Sequence, residues 1–306
     1  MNITEQGIEF ESFTLDPSIS VSNAIISHAH ADHAATKSNT MYCTHATKRI
    51  IEKRYGYSDI HSYEFQEPFQ IGRYEIQFHP AGHILGSALI EVRDNEKTWL
   101  YTGDFATHSN PTTRNTYPVE CDVLITETTF ALPVFTWPKA QDEIEKLVRW
   151  YHRNKQAEKA SLCYCYSLGK AQRILSLLKD TDVIPYCHHT VRDMNYCYEE
   201  EGVNLGEWKP FSLKKDSLQS QLLLLPPQLQ ETPTIQKAHA STGFASGWMQ
   251  IRGNKTWKGY DAGFVISDHC DWKSLVDFVK ACNPSEVHTV HGYTDVFSRY
   301  VKEELL

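Results

Sequence analysis

Residues 28–33 read His-Ala-His-Ala-Asp-His, four potential metal ligands in six positions, directly after the apolar stretch Asn23–Ser27. At a strand end His28 and His30 project the same way, because strand side chains repeat with period two. Asp32 and His33 follow on the loop and can face a second ion. Imidazole and carboxylate in this mixture suit Zn, Mn or Fe rather than Ca, and the motif holds no thiolate. A two-metal hydrolase needs about four ligands per ion and a carboxylate that bridges them. Candidates follow other strands: His83 in PAGHILGS, Asp104 at the end of TWLYTGD, and His291 after VHTV. Singly, each would more often be structural; together, each at a strand end, they complete a two-metal set with Asp104 as the bridge. The other histidines sit in polar or helical contexts and read as surface or satisfied core residues.

The elements that must carry these residues change style along the chain. The first part is β-rich. Tyr74–His79 alternates like a half-buried strand, and Ser87–Arg93 with Lys97–Tyr101 reads as a hairpin turning at Asp94-Asn95. Asp122–Thr126 is a further buried strand. Residues 138–153 have helical periodicity, with Ile144, Leu147, Val148 and Tyr151 on one face. From about residue 160, strand and helix alternate as in a parallel α/β unit: strand Ala160–Tyr166, turn, helix Lys170–Leu178, then strands at Val183–Cys187 and Gln221–Leu225. The end returns to the first style, with strand Phe264–Ser267, helix Asp271–Cys282, strand Glu286–Val290 and a closing helix from Thr294. The expected organisation is an α/β protein whose first domain is built from residues 1–158 and 263–306, with residues 159–262 inserted.

Composition bounds the rest. A chain of 306 residues fits two domains, or one with an insertion. Its 41% hydrophobic and 22% charged residues exclude wholesale disorder. The longest aliphatic run, Leu222–Leu225, is far short of a membrane span, and the acidic N-terminus has no signal-peptide core. Eight Cys without a CxxC fit buried or free thiols in a reducing cytoplasm. The net charge of −8 means that nucleic acid, if it is the substrate, is held by a local patch and metal ions.

HAHADH, AGHILGS and TGD together resemble the metallo-β-lactamase superfamily. ITETTF at 125–130, SDHCDW at 267–272 and TVHGY at 289–293 narrow the resemblance to its β-CASP nucleases. LPVFTWP at 132–138, YSLGKAQRIL at 166–175 and FASGWMQIRG at 244–253 look most like the bacterial ligase-associated DNA exonucleases. The resemblance covers essentially the whole chain. It implies an αββα sandwich with a β-CASP cap inserted between Glu127 and Asp268. It puts His28, His30, His83 and Asp104 on one divalent ion, Zn or Mn, and Asp32, His33, Asp104 and His291 on another. It makes Glu127 and His269 a pair acting on the leaving oxygen, with Asp32 also orienting the water. It implies a 5′ exonuclease on DNA, working in repair beside an ATP-dependent ligase and a helicase. A β-CASP ribonuclease is the alternative, and a small-molecule metallo-hydrolase a third. The DNA cross-link repair branch tends to carry a small apolar residue where this chain has His291, so that residue favours a complete two-metal site and leaves DNA against RNA open.

Two further stretches invite a substrate. Ser167-Leu-Gly-Lys170, between a strand and a helix, offers backbone N–H groups, a hydroxyl and an ammonium to a 5′ phosphate; a plain turn with an exposed lysine fits equally. Residues 248–260 interleave Trp248, Trp257 and Tyr260 with Arg252, Lys255 and Lys258, as single-strand binding requires; a twisted hairpin with ordinary aromatic packing fits nearly as well.

Overall fold

The computed structural model describes residues 1–34, 36–212, 217–251 and 259–305. They form two compact units, residues 1–133 with 269–306, and residues 134–268.

The first unit is built on two six-stranded sheets. One is formed wholly by the first 63 residues, its strands adjacent in chain order from Asn2–Thr4 to Ile60–Tyr63. In the other, Glu286–Gly292 lies at one edge, followed by Val123–Thr128, Thr98–Tyr101, Ala88–Arg93, Tyr74–Pro80 and Phe69–Ile71. Alternation decides which faces meet. Tyr74, Ile76 and Phe78 point inward beside Ile90 and Val92, and pack with Ile8, Phe10, Phe13, Leu15 and Ile25 of the first sheet. Burying a side chain such as Phe78 or Ile90 contributes roughly 1.5–3 kcal/mol. The opposite face, through Leu89, Leu100 and Leu124, packs against Leu275, Phe278 and Val279 of helix Trp272–Cys282 and Phe297 and Val301 of helix Thr294–Glu304. Helix His45–Tyr55 lies against strands Thr40–Thr44 and Ile60–Tyr63 of the first sheet. The layers are therefore helix, sheet, sheet, helix, the αββα arrangement expected.

The second unit has one six-stranded sheet, parallel throughout, in the order Lys209–Phe211, Tyr186–His188, Leu222–Leu225, Ala160–Tyr164, Ala240–Ala245, Ala262–Phe264. Its central strands are fully buried, which is why Ala160–Tyr164 and Leu222–Leu225 read as continuous apolar runs rather than alternation. Cys163 and Cys165 are core residues there; burial pushes the Cys163 thiol up to about 12.

Helix Ala140–Gln156, grouped with the first part on sequence, packs in the second unit. Its Trp150 meets Phe264 edge-on at 5.5 Å and donates from Nε1 to Ser241 Oγ at 3.1 Å. The units accordingly divide at 133/134 and 268/269 rather than at 158/159 and 262/263. Strand limits also differ from the reading. Phe264–Ser267 is strand only to Phe264, and 183–187 becomes Tyr186–His188, just after Pro185, which has no N–H for a ladder.

Candidate metal centre

The ligand candidates of the first unit sit at strand ends, in a turn between two strands or on one helical turn. The strand before the histidine motif stops at Ile25, and His28 and His30 lie in the segment that follows. A single helical turn, Ala31–Ala34, carries Asp32 and His33; it is closed by bonds from the N–H groups of His33 and Ala34 to His30 O. His83 lies in the loop between strands Tyr74–Pro80 and Ala88–Arg93, where its N–H donates to Ser87 Oγ. Asp104 follows strand Thr98–Tyr101 through Gly103, whose φ is +50°; a Cβ there would lie 2.7 Å from the Ser27 side chain. Only glycine lets the Asp104 loop come this close to the histidine motif.

Four donors converge. His28 Nε2 and His83 Nε2 each lie 3.1 Å from His30 Nδ1. Asp104 Oδ2 is 3.5 Å from His28 Nε2 and 3.7 Å from His83 Nε2. Donors about 2.0–2.1 Å from a tetrahedral ion are separated by about 3.3–3.4 Å. These residues therefore fit one divalent ion, on spacing as well as on chemistry. The other carboxylate oxygen of Asp104 faces away from them, 3.7 Å from His33 Nε2, which in turn lies 3.8 Å from Asp32 Oδ2. The His291 ring centroid is 5.5 Å from that of His33. Asp104 thus stands between two ligand groups, as a bridging carboxylate must.

His291 reaches this position through a β-bulge. The parallel register pairs Glu127 with Val290 but Thr128 with Gly292, which leaves His291 as the extra residue at φ +54°. A bulge re-aims a side chain at a sheet edge. His291 and Asp32 are exposed, whereas His28, His33, His83 and Asp104 are buried.

Asp16 was not singled out on sequence, and it organises the centre. Its side chain is 5% exposed. It accepts from Ser27 N and Ser27 Oγ, from His33 Nδ1 at 2.7 Å and from Tyr101 OH at 2.9 Å. Ser27 Oγ also lies 3.0 Å from His28 Nδ1. With both Nδ1 atoms protonated toward Asp16 and Ser27, the Nε2 lone pairs of His33 and His28 point at the two ligand groups. One signal was available: Asp16 closes strand Thr14–Leu15, just as Asp104 follows its strand.

The electrostatics follow from burial and neighbours. Burial holds His28 well below its ordinary range, and His33, His83 and His30 add to the effect. His33 goes the other way: burial lowers it, but Asp16 and Asp104 outweigh that and raise it to about 10. Burial raises the Asp104 carboxyl, with His33 opposing and Glu127 reinforcing. A buried carboxylate resisting ionisation is what a bound cation would relieve.

Glu127 and His269 form a third group with Asp104. Glu127 Oε1 lies 2.8 Å from His269 Nδ1 and accepts from Phe105 N at 3.0 Å, so one buried carboxylate holds both the imidazole and the Asp104 loop. Burial works against ionisation of Glu127, but the charge of His269 and bonds from His269, Thr129 and Phe105 bring it below the ordinary carboxylate range.

The substrate-binding expectations fare unevenly. Ser167 Oγ lies 2.9 Å from Thr190 Oγ1. Lys170 is not an exposed hook. Its side chain is 5% exposed and its ammonium lies 2.7 Å from Asp268 Oδ2, with Arg173 on the other carboxylate oxygen at 3.0 Å. Burial, opposed by Asp268, lowers Lys170 to about 8. Trp248 is half-buried and meets Phe135 edge-on at 5.6 Å, which is packing. Arg252, with Lys255, Trp257 and Lys258, lies outside the described residues.

Comparison with known proteins gives a consistent set. No protein-family profile matches the chain. A probable DNA ligase of Opitutus terrae is 28% identical over 293 residues, covering 94% of this chain and 28% of that protein. An RNase J-like protein of Methanocaldococcus jannaschii is 30% identical over 187 residues, 52% of this chain and 44% of its own. The DNA cross-link repair protein SNM1 of Arabidopsis thaliana is 28% identical over 168 residues, 50% of this chain and 34% of its own. The chain thus spans less than half the length of these curated relatives. Among solved structures, a protein of unknown function from Enterococcus faecalis superposes with a TM-score of 0.58 at 13% identity, covering 88% of this chain and 75% of that one; it speaks for the fold alone.

Proposed function

We propose that this protein is a β-CASP nuclease of the metallo-β-lactamase superfamily, a metal-dependent phosphodiesterase acting as a 5′ exonuclease on DNA, a reading supported by its similarity to an RNase J-like protein and to a DNA cross-link repair protein. The observation that carries the hydrolytic reading is the bridging geometry of Asp104, with one carboxylate oxygen toward His28 and His83 and the other toward His33.

Two divalent ions, Zn or Mn, held by His28, His30, His83 and Asp104 and by Asp32, His33, Asp104 and His291, would supply hydroxide near neutral pH and neutralise phosphoryl charge. Asp32, with a side chain 75% exposed, is the carboxylate open to solvent and suited to orient the attacking water. His269 protonates the departing sugar oxygen. Its Nδ1 is spent on Glu127, so Nε2 carries that proton, and an ionised Glu127 stabilises the imidazolium until transfer.

DNA as substrate and action in repair beside a ligase are supported by the similarity to a ligase-named protein and to a DNA cross-link repair protein; a helicase partner and a cytoplasmic setting belong to the same proposal. Among the described residues no helix is long and apolar enough to cross a membrane. Ser167 and the start of helix Lys170–Leu178 are the proposed reader of the 5′ phosphate, while the Lys170 charge is committed to Asp268. RNA is the second reading, favoured by the RNase J-like relative. The test uses end-labelled single-stranded DNA and RNA of one sequence, each with 5′ phosphate and 5′ hydroxyl, in Mn or Zn. Mononucleotides released from 5′-phosphorylated DNA support the proposal; internal cuts, or cleavage of RNA alone, move the protein to RNA processing.

A further inference from the structure

Beside the metal-binding loop the first unit carries a group of aromatic and cationic side chains that the proposed chemistry does not use. Helix His45–Tyr55 ends in Lys53-Arg54-Tyr55, and Gly56 turns the chain at φ +69°, its N–H bonding to Glu52 O. That left-handed turn brings Tyr57 back over Tyr55: the rings stack at 5.5 Å and 27°. The Arg54 guanidinium lies 5.1 Å over the Tyr55 ring, and the Lys37 ammonium 5.9 Å over that of Tyr57. Both tyrosines are half-buried, while Lys37, Lys53 and Arg54 are exposed.

One contact ties this group to the edge of the metal centre, and the charge of Asp32 reaches it. Arg54 donates from Nη1 to Ala29 O at 2.6 Å, and Ala29 stands between His28 and His30. Asp32 is near enough to Tyr55 that, after burial and alongside Tyr57, it helps to raise the phenol, with Arg54 opposing. An aromatic contact across a glycine turn is often only a helix stop. Here the rings remain partly open, cations lie over them, and they border a site whose substrate would be a polyanion. That combination is what a single strand needs: a flat face for a base and a cation for its phosphate.

We propose that Tyr57, stacked on Tyr55 and flanked by Lys37 and Arg54, binds a nucleobase and phosphate of the strand beside the scissile bond. The proposal rests on the nucleic-acid reading above. Lys37, on a long exposed stem, exchanges the ring face for the phosphate and opens that face to the base. Arg54 keeps its bond to Ala29 and so fixes the platform relative to the ligand loop.

The test compares the parent protein with Tyr57→Ala, Tyr57→Phe and Lys37→Ala. Substrates are a single-stranded oligonucleotide, DNA or RNA according to which is cleaved, and bis(p-nitrophenyl) phosphate, a diester with no neighbouring nucleotide. Tyr57→Ala is expected to raise KM for the oligonucleotide about tenfold, with kcat and the small-diester rate unchanged. Tyr57→Phe should keep the parent KM, and Lys37→Ala should raise KM most at low salt. An unchanged oligonucleotide KM in Tyr57→Ala, or an equal loss on both substrates, overturns the proposal. A parent protein that hydrolyses the small diester but no oligonucleotide overturns the nucleic-acid reading, and this site with it.

Discussion

Asp16→Asn separates the two ligand groups without changing shape. Asp16 accepts from Ser27 N, Ser27 Oγ, His33 Nδ1 and Tyr101 OH, and its side chain is almost wholly buried. An amide keeps one oxygen but puts an NH2 group where the other stood. If the oxygen stays with Ser27 N, the NH2 group meets His33 Nδ1, which must then turn acceptor. The proton moves to Nε2, the atom facing Asp104 and Asp32, and that nitrogen can no longer bind a metal. Losing a charge-assisted bond in a buried site costs about 1.5–3 kcal/mol. With the two hydroxyls able to reorient, the whole change should cost about 2–4 kcal/mol, or about 5–10 °C in Tm. Loss of a partner that orients a ligand typically weakens metal binding about 10–100-fold. Calorimetric metal titration of the variant should show one ion bound nearly as in the parent, at His28, His30 and His83, and a second bound 10–100-fold more weakly. Two ions bound with parent affinity would refute the claim that Asp16 sets the His33 tautomer.

Other expectations rest on separate contacts. In metal-free protein His33 is raised from 6.5 to about 10 by Asp16 and Asp104 acting against burial. The stabilisation from its charged form is complete below about 6.5 and is lost as pH rises through about 10. Thermal melts of the chelated protein should therefore fall across that window, while affinity for the second ion rises; a flat melt series would contradict the His33 assignment. Asp268→Ala should destabilise the second unit by about 3–5 kcal/mol in denaturant titrations, because it leaves Lys170 and Arg173 buried without their carboxylate. Lys170→Met should cost much less, since Asp268 keeps Arg173; equal losses would be inconsistent with that cluster. Glu127→Gln should move the alkaline limb of the pH–rate profile to lower pH, since the imidazolium of His269 loses its carboxylate; an unmoved limb would remove His269 as proton donor.

What could be read from sequence depended on how local the information was. His28, His30, Asp32 and His33 lie within six residues, and His83 and Asp104 each sit in a glycine-containing turn after a strand. Their convergence then follows from the sandwich, which brings strand ends to one edge. Asp16 escaped notice because its partners Ser27, His33 and Tyr101 come from two segments distant from it in sequence. Lys170 was read as an exposed cation because its burial depends on Asp268, 98 residues away, a pairing with no periodic trace in the sequence. Helix Ala140–Gln156 was easy to recognise as a helix; its place in the second unit was decided by Trp150 meeting Phe264 and Ser241. The bulge that turns His291 toward His33 is a register shift, invisible until the strands are paired.

Asp104 is proposed to bridge two divalent ions in the hydrolysis of a phosphodiester. The most direct measurement sets metal content against cleavage of end-labelled single strands, for the parent protein and Asp104→Ala, each after chelation and after return of Mn or Zn. If the bridge holds, the parent chain carries about two ions, its cleavage stops on chelation and returns with metal, and the Asp104→Ala protein folds, holds at most one ion and does not cleave. Cleavage by Asp104→Ala at the parent rate, or cleavage indifferent to chelation, would contradict it.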